Sequence, residues 1–123
     1  MEPNVNVSTH TNNLGTSIFG GEGIFMQKFS GNGLVFLEID GSCFEYDLKP
    51  GQKINVDTGL VAAFEDTVSM EIERVKGVKN IFLGGEGLFN TTLKGPGKVY
   101  LQSMSMPGLA KVLRPYFPSN NSN

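Results

Sequence analysis

The sequence predicts an all-β fold: a sandwich or short double-stranded β-helix built of hairpins, with one short C-terminal helix. Three observations lead there. Apolar residues recur with a period near two from Ile24 onward, the pattern of strands with one covered face. Sixteen glycines fall between the short apolar runs, where turns are needed. A near copy of Gly20-Gly21-Glu22-Gly23-Ile24-Phe25 returns 64 residues later as Gly84-Gly85-Glu86-Gly87-Leu88-Phe89, and nine of nineteen positions are identical when the match is extended to Glu38 and Gln102. Such self-similarity marks a duplicated structural unit.

Each element has its own signal. Phe44, Tyr46 and Leu48 alternate with Cys43, Glu45 and Asp47. Ile54 and Val56 alternate with Lys53, Asn55 and Asp57, and Val68, Met70 and Ile72 with Ser69, Glu71 and Glu73. These read as half-buried strands. The continuous runs Leu34 to Ile39 and Leu60 to Phe64 read as strands covered on both faces. Lys49-Pro50-Gly51-Gln52 suits a type II turn, with Pro setting φ at the second position and Gly accepting positive φ at the third. Ile39 to Ser42 and Asp57-Thr58-Gly59 are further turns. Gly31-Asn32-Gly33 and Gly95-Pro96-Gly97 are expected to close the two copies of a hairpin. About eight strands result. The single helix, Pro107 to Leu113, opens on a proline whose missing amide is harmless there, and Pro115 stops it.

The repeated corner, Gly20, Gly21, Glu22, Gly23 and Gly84, Gly85, Glu86, Gly87, is expected to be a structural turn motif. Consecutive glycines permit tight backbone, and a carboxylate among them accepts hydrogen bonds from the exposed amides. An anion cradle of backbone amides is the alternative. Glu22 and Glu86 oppose it by placing negative charge where the anion would sit. Met26 and Asn90 stand where a dinucleotide fingerprint needs its third glycine.

Composition narrows the function. A 123-residue chain is long enough for one real core. Ten basic against twelve acidic residues, a net charge of −2, argue against nucleic acid as a partner, because phosphate neutralisation supplies most non-specific affinity. Only Lys94, Lys98 and Tyr100 approach the basic-aromatic surface that RNA would want. Cys43 is alone, so no internal disulfide forms, and a reducing compartment is expected. No apolar run reaches the ~18 residues of a membrane span. With neither a signal peptide nor a presequence visible, a cytoplasmic location is expected. The only histidine, His10, lies in the polar leader, which leaves no His-based catalyst, metal centre or cofactor in view. The carboxylate pairs Glu65-Asp66 and Glu71 with Glu73 read as a turn and a solvated strand face.

At "VDTGLVAAFE" (Val56 to Glu65), "ERVKGVKNIFLGGEGLF" (Glu73 to Phe89) and "LKGPGKVYLQSM" (Leu93 to Met104) the chain resembles the altered-inheritance-of-mitochondria family of uncharacterised proteins. The resemblance covers about Ser17 to Leu113. It implies a fold similar to the tryptophan RNA-binding attenuation protein, a small double-stranded β-helix that assembles into rings. It implies no catalytic residues. It also implies a role in organising membranes or complexes, at least in mitochondrial relatives. Where the family often has His after Asp57-Thr58-Gly59, this chain has Leu60.

The resemblance also implies two tandem copies of the fold, the usual arrangement in the family, so this chain is expected to begin near the end of the first. Residues 1–17 are then a disordered leader and 18–115 a single β domain, in which 18–38 is a hairpin left from the incomplete first repeat and 39–115 the second repeat. Residues 116–123 form a disordered tail. An apolar hairpin without its partner strands is a sticky edge. The expected function is therefore a non-enzymatic structural or assembly protein, a homo-oligomer joined through strand edges. A separate chain supplying the missing N-terminal strands is a further possible partner. The alternative is a small-ligand or single-stranded RNA binding module.

Overall fold

The computed structural model describes residues 2–12, 24–74 and 89–118. It divides into two compact units at the junction of Glu38 and Ile39. Both Gly-Gly-Glu-Gly corners lie outside the described residues.

The first unit is an antiparallel pair, β1 (Asn4–Asn12) with β2 (Ile24–Asn32). Nine residue pairs run without a break, from Asn4 opposite Asn32 to Asn12 opposite Ile24. Over residues 4–12 this corrects the expectation of a disordered leader at 1–17; residues 1 and 13–17 lie outside the described residues. The Asn, Ser and Thr content suggested disorder, but Val5 and Val7 alternate with Asn4 and Asn6, and the ladder sets Val7 opposite Phe29. Cross-strand pairing outweighs the polar composition. A second correction concerns Leu34 to Ile39, which is not a strand. Gly31-Asn32-Gly33 accordingly closes no hairpin there, since the ladder partner of β2 is β1. A run that is apolar on both faces needs neighbours on both. No described strand pairs with it, and Leu34 and Phe36 stand 84% and 93% exposed.

The second unit holds β3 (Cys43–Leu48), β4 (Lys53–Asp57), β5 (Val61–Phe64), β6 (Ser69–Arg74), β7 (Phe89–Lys94), β8 (Gly97–Gln102) and the helix α1 (Met106–Leu113). Two three-stranded antiparallel sheets form, in the orders β3-β8-β5 and β4-β7-β6. The alternation read from sequence sets their faces. Ile54, Leu93 and Met70 share one register row, with Val56, Thr91 and Ile72 on another row of the same face. The sheets bury a joint core of Leu48, Val68, Leu93 and Val99, packed by Ile54, Val56, Val61, Phe64, Met70 and Leu101. Leu93 and Val99 are wholly buried, each stabilising the fold by roughly 1.5–3 kcal/mol.

Gly95-Pro96-Gly97 also departs from expectation. It closes no hairpin, because β7 and β8 lie in different sheets. The two form one bent path running through both layers. Phe64 faces Val99 on one side of the bend and Ser69 faces Lys94 on the other, so five residues are spanned on either strand and the register is unbroken. On the opposite flank the Lys49–Gln52 turn absorbs two extra residues between Leu48, opposite Gly97, and Lys53, opposite Lys94. Gly95 donates its amide to the Gln52 carbonyl at 2.9 Å. A Cβ there would meet the Lys49 carbonyl oxygen at 2.5 Å. Gly97 has φ +140°, and a Cβ on it would meet Thr67 Oγ1 at 2.5 Å. Only glycine fits this corner.

Local chemistry elsewhere follows the sequence. The Gln52 amide donates to the Lys49 carbonyl at 3.0 Å and Gly51 has φ +80°, as a type II turn requires. Asp57 Oδ1 accepts from the Gly59 amide at 2.8 Å and opens a 3-10 turn over Thr58–Leu60. Ser105 Oγ caps α1 by accepting from the Gly108 amide at 3.1 Å, with Pro107 in the first turn. Gln102 ties the ends of the sheet together: its Oε1 accepts from the Asp40 amide at 3.2 Å and its Nε2 donates to the Gly59 carbonyl at 3.0 Å. After α1 a 3-10 turn spans Arg114–Tyr116, so the tail expected to be disordered from residue 116 begins in a turn; 119–123 lie outside the described residues.

Candidate functional site

Of the three candidate RNA contacts, the structure brings two together. Lys98 and Tyr100 alternate on β8, on the face away from the core, because Val99 between them is buried. Lys94 lies at the end of β7 in the other sheet, opposite Lys53 on one side and Ser69 on the other. The Lys94 charge therefore adds to Lys53 and not to Lys98.

Around Lys98 the register supplies acids. Tyr100 lies opposite Glu45 and Lys98 opposite Asp47. Lys98 Nζ reaches Glu45 Oε1 at 3.3 Å. The hydrogen bond and charge of Glu45 hold the Lys98 ammonium above the ordinary lysine range, with Tyr100 and Asp47 adding to the effect. The main chain of β8 is held as well: Glu65 Oε2 accepts from the Lys98 amide at 2.8 Å, and the Glu65 amide donates to the Lys98 carbonyl at 3.0 Å. Glu65, read from sequence as a turn residue, clamps β5 to β8. Sequence reasoning missed Glu45 and Asp47 as partners of Lys98. Their shared strand face was visible, but the pairing of residue 47 with residue 98 was not.

The carboxylates Glu71 and Glu73 lie opposite Thr92 and Asn90, on the outer face of their sheet. Among the described residues no group of three or more His, Cys, Asp or Glu side chains is arranged to hold a metal ion. Cys43 is exposed at the start of β3.

One polar pair is built into the interior. Thr91 is wholly buried, and its hydroxyl lies 2.9 Å from Thr58 Oγ1, which donates to the Phe89 carbonyl at 2.9 Å. Thr58 has a single hydroxyl proton and a carbonyl can only accept. Thr91 is therefore the donor to Thr58. This chain holds the 3-10 turn to β7 and offers no reactive group.

The larger surface features are apolar. Leu34, Val35, Phe36 and Leu37 are 84%, 42%, 93% and 50% exposed. Phe44 and Tyr46, expected with Leu48 on a core face, are 50% and 46% exposed, because β3 is an edge strand and only its last residue enters the core. Val112, Tyr116 and Phe117 are likewise open, beside Lys111 and Arg114. Among the described residues no helix is long and apolar enough to cross a membrane.

Fold and surface together define an all-β, sandwich-like protein with exposed apolar segments. The chain belongs to the family described as mitochondrial biogenesis AIM24, whose sequence profile matches residues 1–104. That match takes in β1 as well as the strands from Ile24 onward. The chain is similar to the uncharacterised protein M6_Spy0233 of Streptococcus pyogenes serotype M6, with 29% identity over 111 residues, 89% of this chain and 44% of the relative. It is also similar to the crystal structure of protein SPYM3_0169 from Streptococcus pyogenes, with a TM-score of 0.71, 26% identity, and coverage of 92% of this chain and 49% of that one. The chain thus spans about half the length of these relatives.

Proposed function

We propose that the chain is a non-enzymatic structural or assembly protein that forms homo-oligomers through its β-strand edges. The exposed run Leu34 to Leu37 carries the reading. It is β-prone and apolar on both faces, directly follows β2, and has no ladder partner among the described residues. Chains rarely leave such a segment in water without a neighbour in the assembled state. The absence of catalysis belongs to the same reading: Glu71 and Glu73 are on an outer strand face, and Lys98 is held in a surface ion pair. So does a cytoplasmic location, which suits the lone thiol of Cys43.

Size-exclusion chromatography with light scattering at tens of micromolar tests the proposal. A stable oligomer is the expected result, and a clean monomer refutes it. The alternative, RNA or small-ligand binding, has less support, since Glu45 and Asp47 offset the charge of Lys98 and Lys94 sits in the other sheet. A gel-shift titration across salt separates the two readings. Salt-sensitive retention of single-stranded RNA would favour the binding module.

A further inference from the structure

Among the described residues six strand edges border three sheets, and five of them carry a device that discourages pairing. β3 has Glu45 and Asp47, β4 has Lys53 and Asp57, and β6 has Glu71 and Glu73. β5 has only four residues and a register break between Val61 and Ala63. β2 contains Lys28, and near its end Gly31 at φ +121°. Charges, short length, bulges and irregular backbone are the means by which folded proteins keep sheet edges from joining.

β1 has none of them. It runs nine residues, Asn4–Asn12, with an unbroken register, no Asp, Glu, Lys or Arg, and no Gly or Pro. Among the described residues it pairs only with β2. A two-stranded sheet is marginal in water, and a third or fourth strand makes it stable. The pair also presents an apolar row, with Val7 57% and Phe29 40% exposed and opposite each other in the ladder.

We infer that β1 is the assembly edge, pairing antiparallel with β1 of a second copy of this chain to form the four-stranded sheet β2-β1-β1-β2. The inference rests on the proposed homo-oligomer and names its interface. The occupant is a second copy because β1 is electrostatically self-compatible: it has no Asp, Glu, Lys or Arg to meet a like charge, and full overlap sets its histidine, His10, opposite Asn6. The register that overlaps all nine residues sets Val7 of one copy opposite Thr9 of the other, twice by symmetry. It joins the two Val7–Phe29 rows into one apolar face, the arrangement that cross-strand β-branched and aromatic pairs favour.

The test uses the full chain and light scattering across concentration. Val7→Lys/Thr9→Lys places like charges opposite each other at two symmetric points, and the dimer Kd is expected to rise about tenfold or more, which is ~1.4 kcal/mol. Mixing it with Val7→Glu/Thr9→Glu should restore the dimer, and such a rescue requires both variants to be folded. A wild-type oligomer that the lysine variant leaves unchanged, or a loss that mixing does not restore, overturns the β1 interface while leaving the homo-oligomer standing. A monomeric wild type overturns both.

Discussion

The buried hydroxyl relay makes the sharpest stability prediction, because the two ends of the chain are not equivalent. Thr91→Val removes one donor and keeps the shape. It loses a hydrogen bond of ~1 kcal/mol. The methyl that replaces the hydroxyl, in a wholly buried position, returns up to ~0.8 kcal/mol. The net cost should be about 1 kcal/mol or less. Thr58→Val removes both bonds of the relay and also strands the Thr91 hydroxyl with no acceptor. A buried polar group left unsatisfied costs ~1–3 kcal/mol, so the variant should lose roughly 2–4 kcal/mol. In the double variant the stranded hydroxyl is gone. It should therefore be no less stable than Thr58→Val alone, with a coupling of about 1 kcal/mol between the sites. Urea unfolding followed by circular dichroism reads these values as shifts in midpoint at constant slope. Thr91→Val costing more than Thr58→Val, or strict additivity, would refute the donor assignment and the burial of the pair.

Other predictions follow from burial, backbone and charge. Leu93→Ala should cost ~2–5 kcal/mol, whereas Phe44→Ala, at a half-exposed edge position, should cost well below that, and a reversed order in urea melts would contradict the packing. Gly97→Ala should destabilise by more than the ~1 kcal/mol of a typical substitution, because φ is +140° and the new methyl meets Thr67 and Val68; an unchanged melting temperature would show the corner to be misdescribed. The folded-state pKa of Lys98 is raised above its ordinary 10.5, chiefly by Glu45, so its contribution is complete below that value and is lost as pH climbs through the higher folded one. The stability gap between wild type and Glu45→Gln should accordingly stay constant around neutral pH and shrink in the alkaline range, as Lys98 loses its proton. A gap that does not narrow as pH climbs through the alkaline range would refute Glu45 as the group that holds Lys98.

Elements governed by neighbours in sequence were legible without coordinates. The alternations at residues 43–48, 53–57 and 69–73 set strand faces through the two-residue period of the pleat. The Lys49–Gln52 turn and the helix that opens at Pro107 were visible for the same reason, since proline and glycine act over three or four residues. The candidate site was legible only in part: Lys98 and Tyr100 share a face, as their spacing requires, while the acids that hold Lys98 come from another strand.

What tertiary structure alone decided is which strands meet. Alternation says which way a side chain points and not which strand lies beside it. Asn4–Asn12, polar enough to suggest disorder, is a strand because β2 pairs with it residue for residue. Leu34 to Leu37, apolar enough to suggest a buried strand, stands open because no described strand reaches it. Gly95-Pro96-Gly97 reads as a hairpin tip, yet the strands on either side belong to different layers, and the glycines are there to let the Lys49 carbonyl and the Thr67 hydroxyl come close. The presence or absence of contacts between residues 12 or more positions apart settled each of these, and local propensity of about 1 kcal/mol cannot encode such a choice.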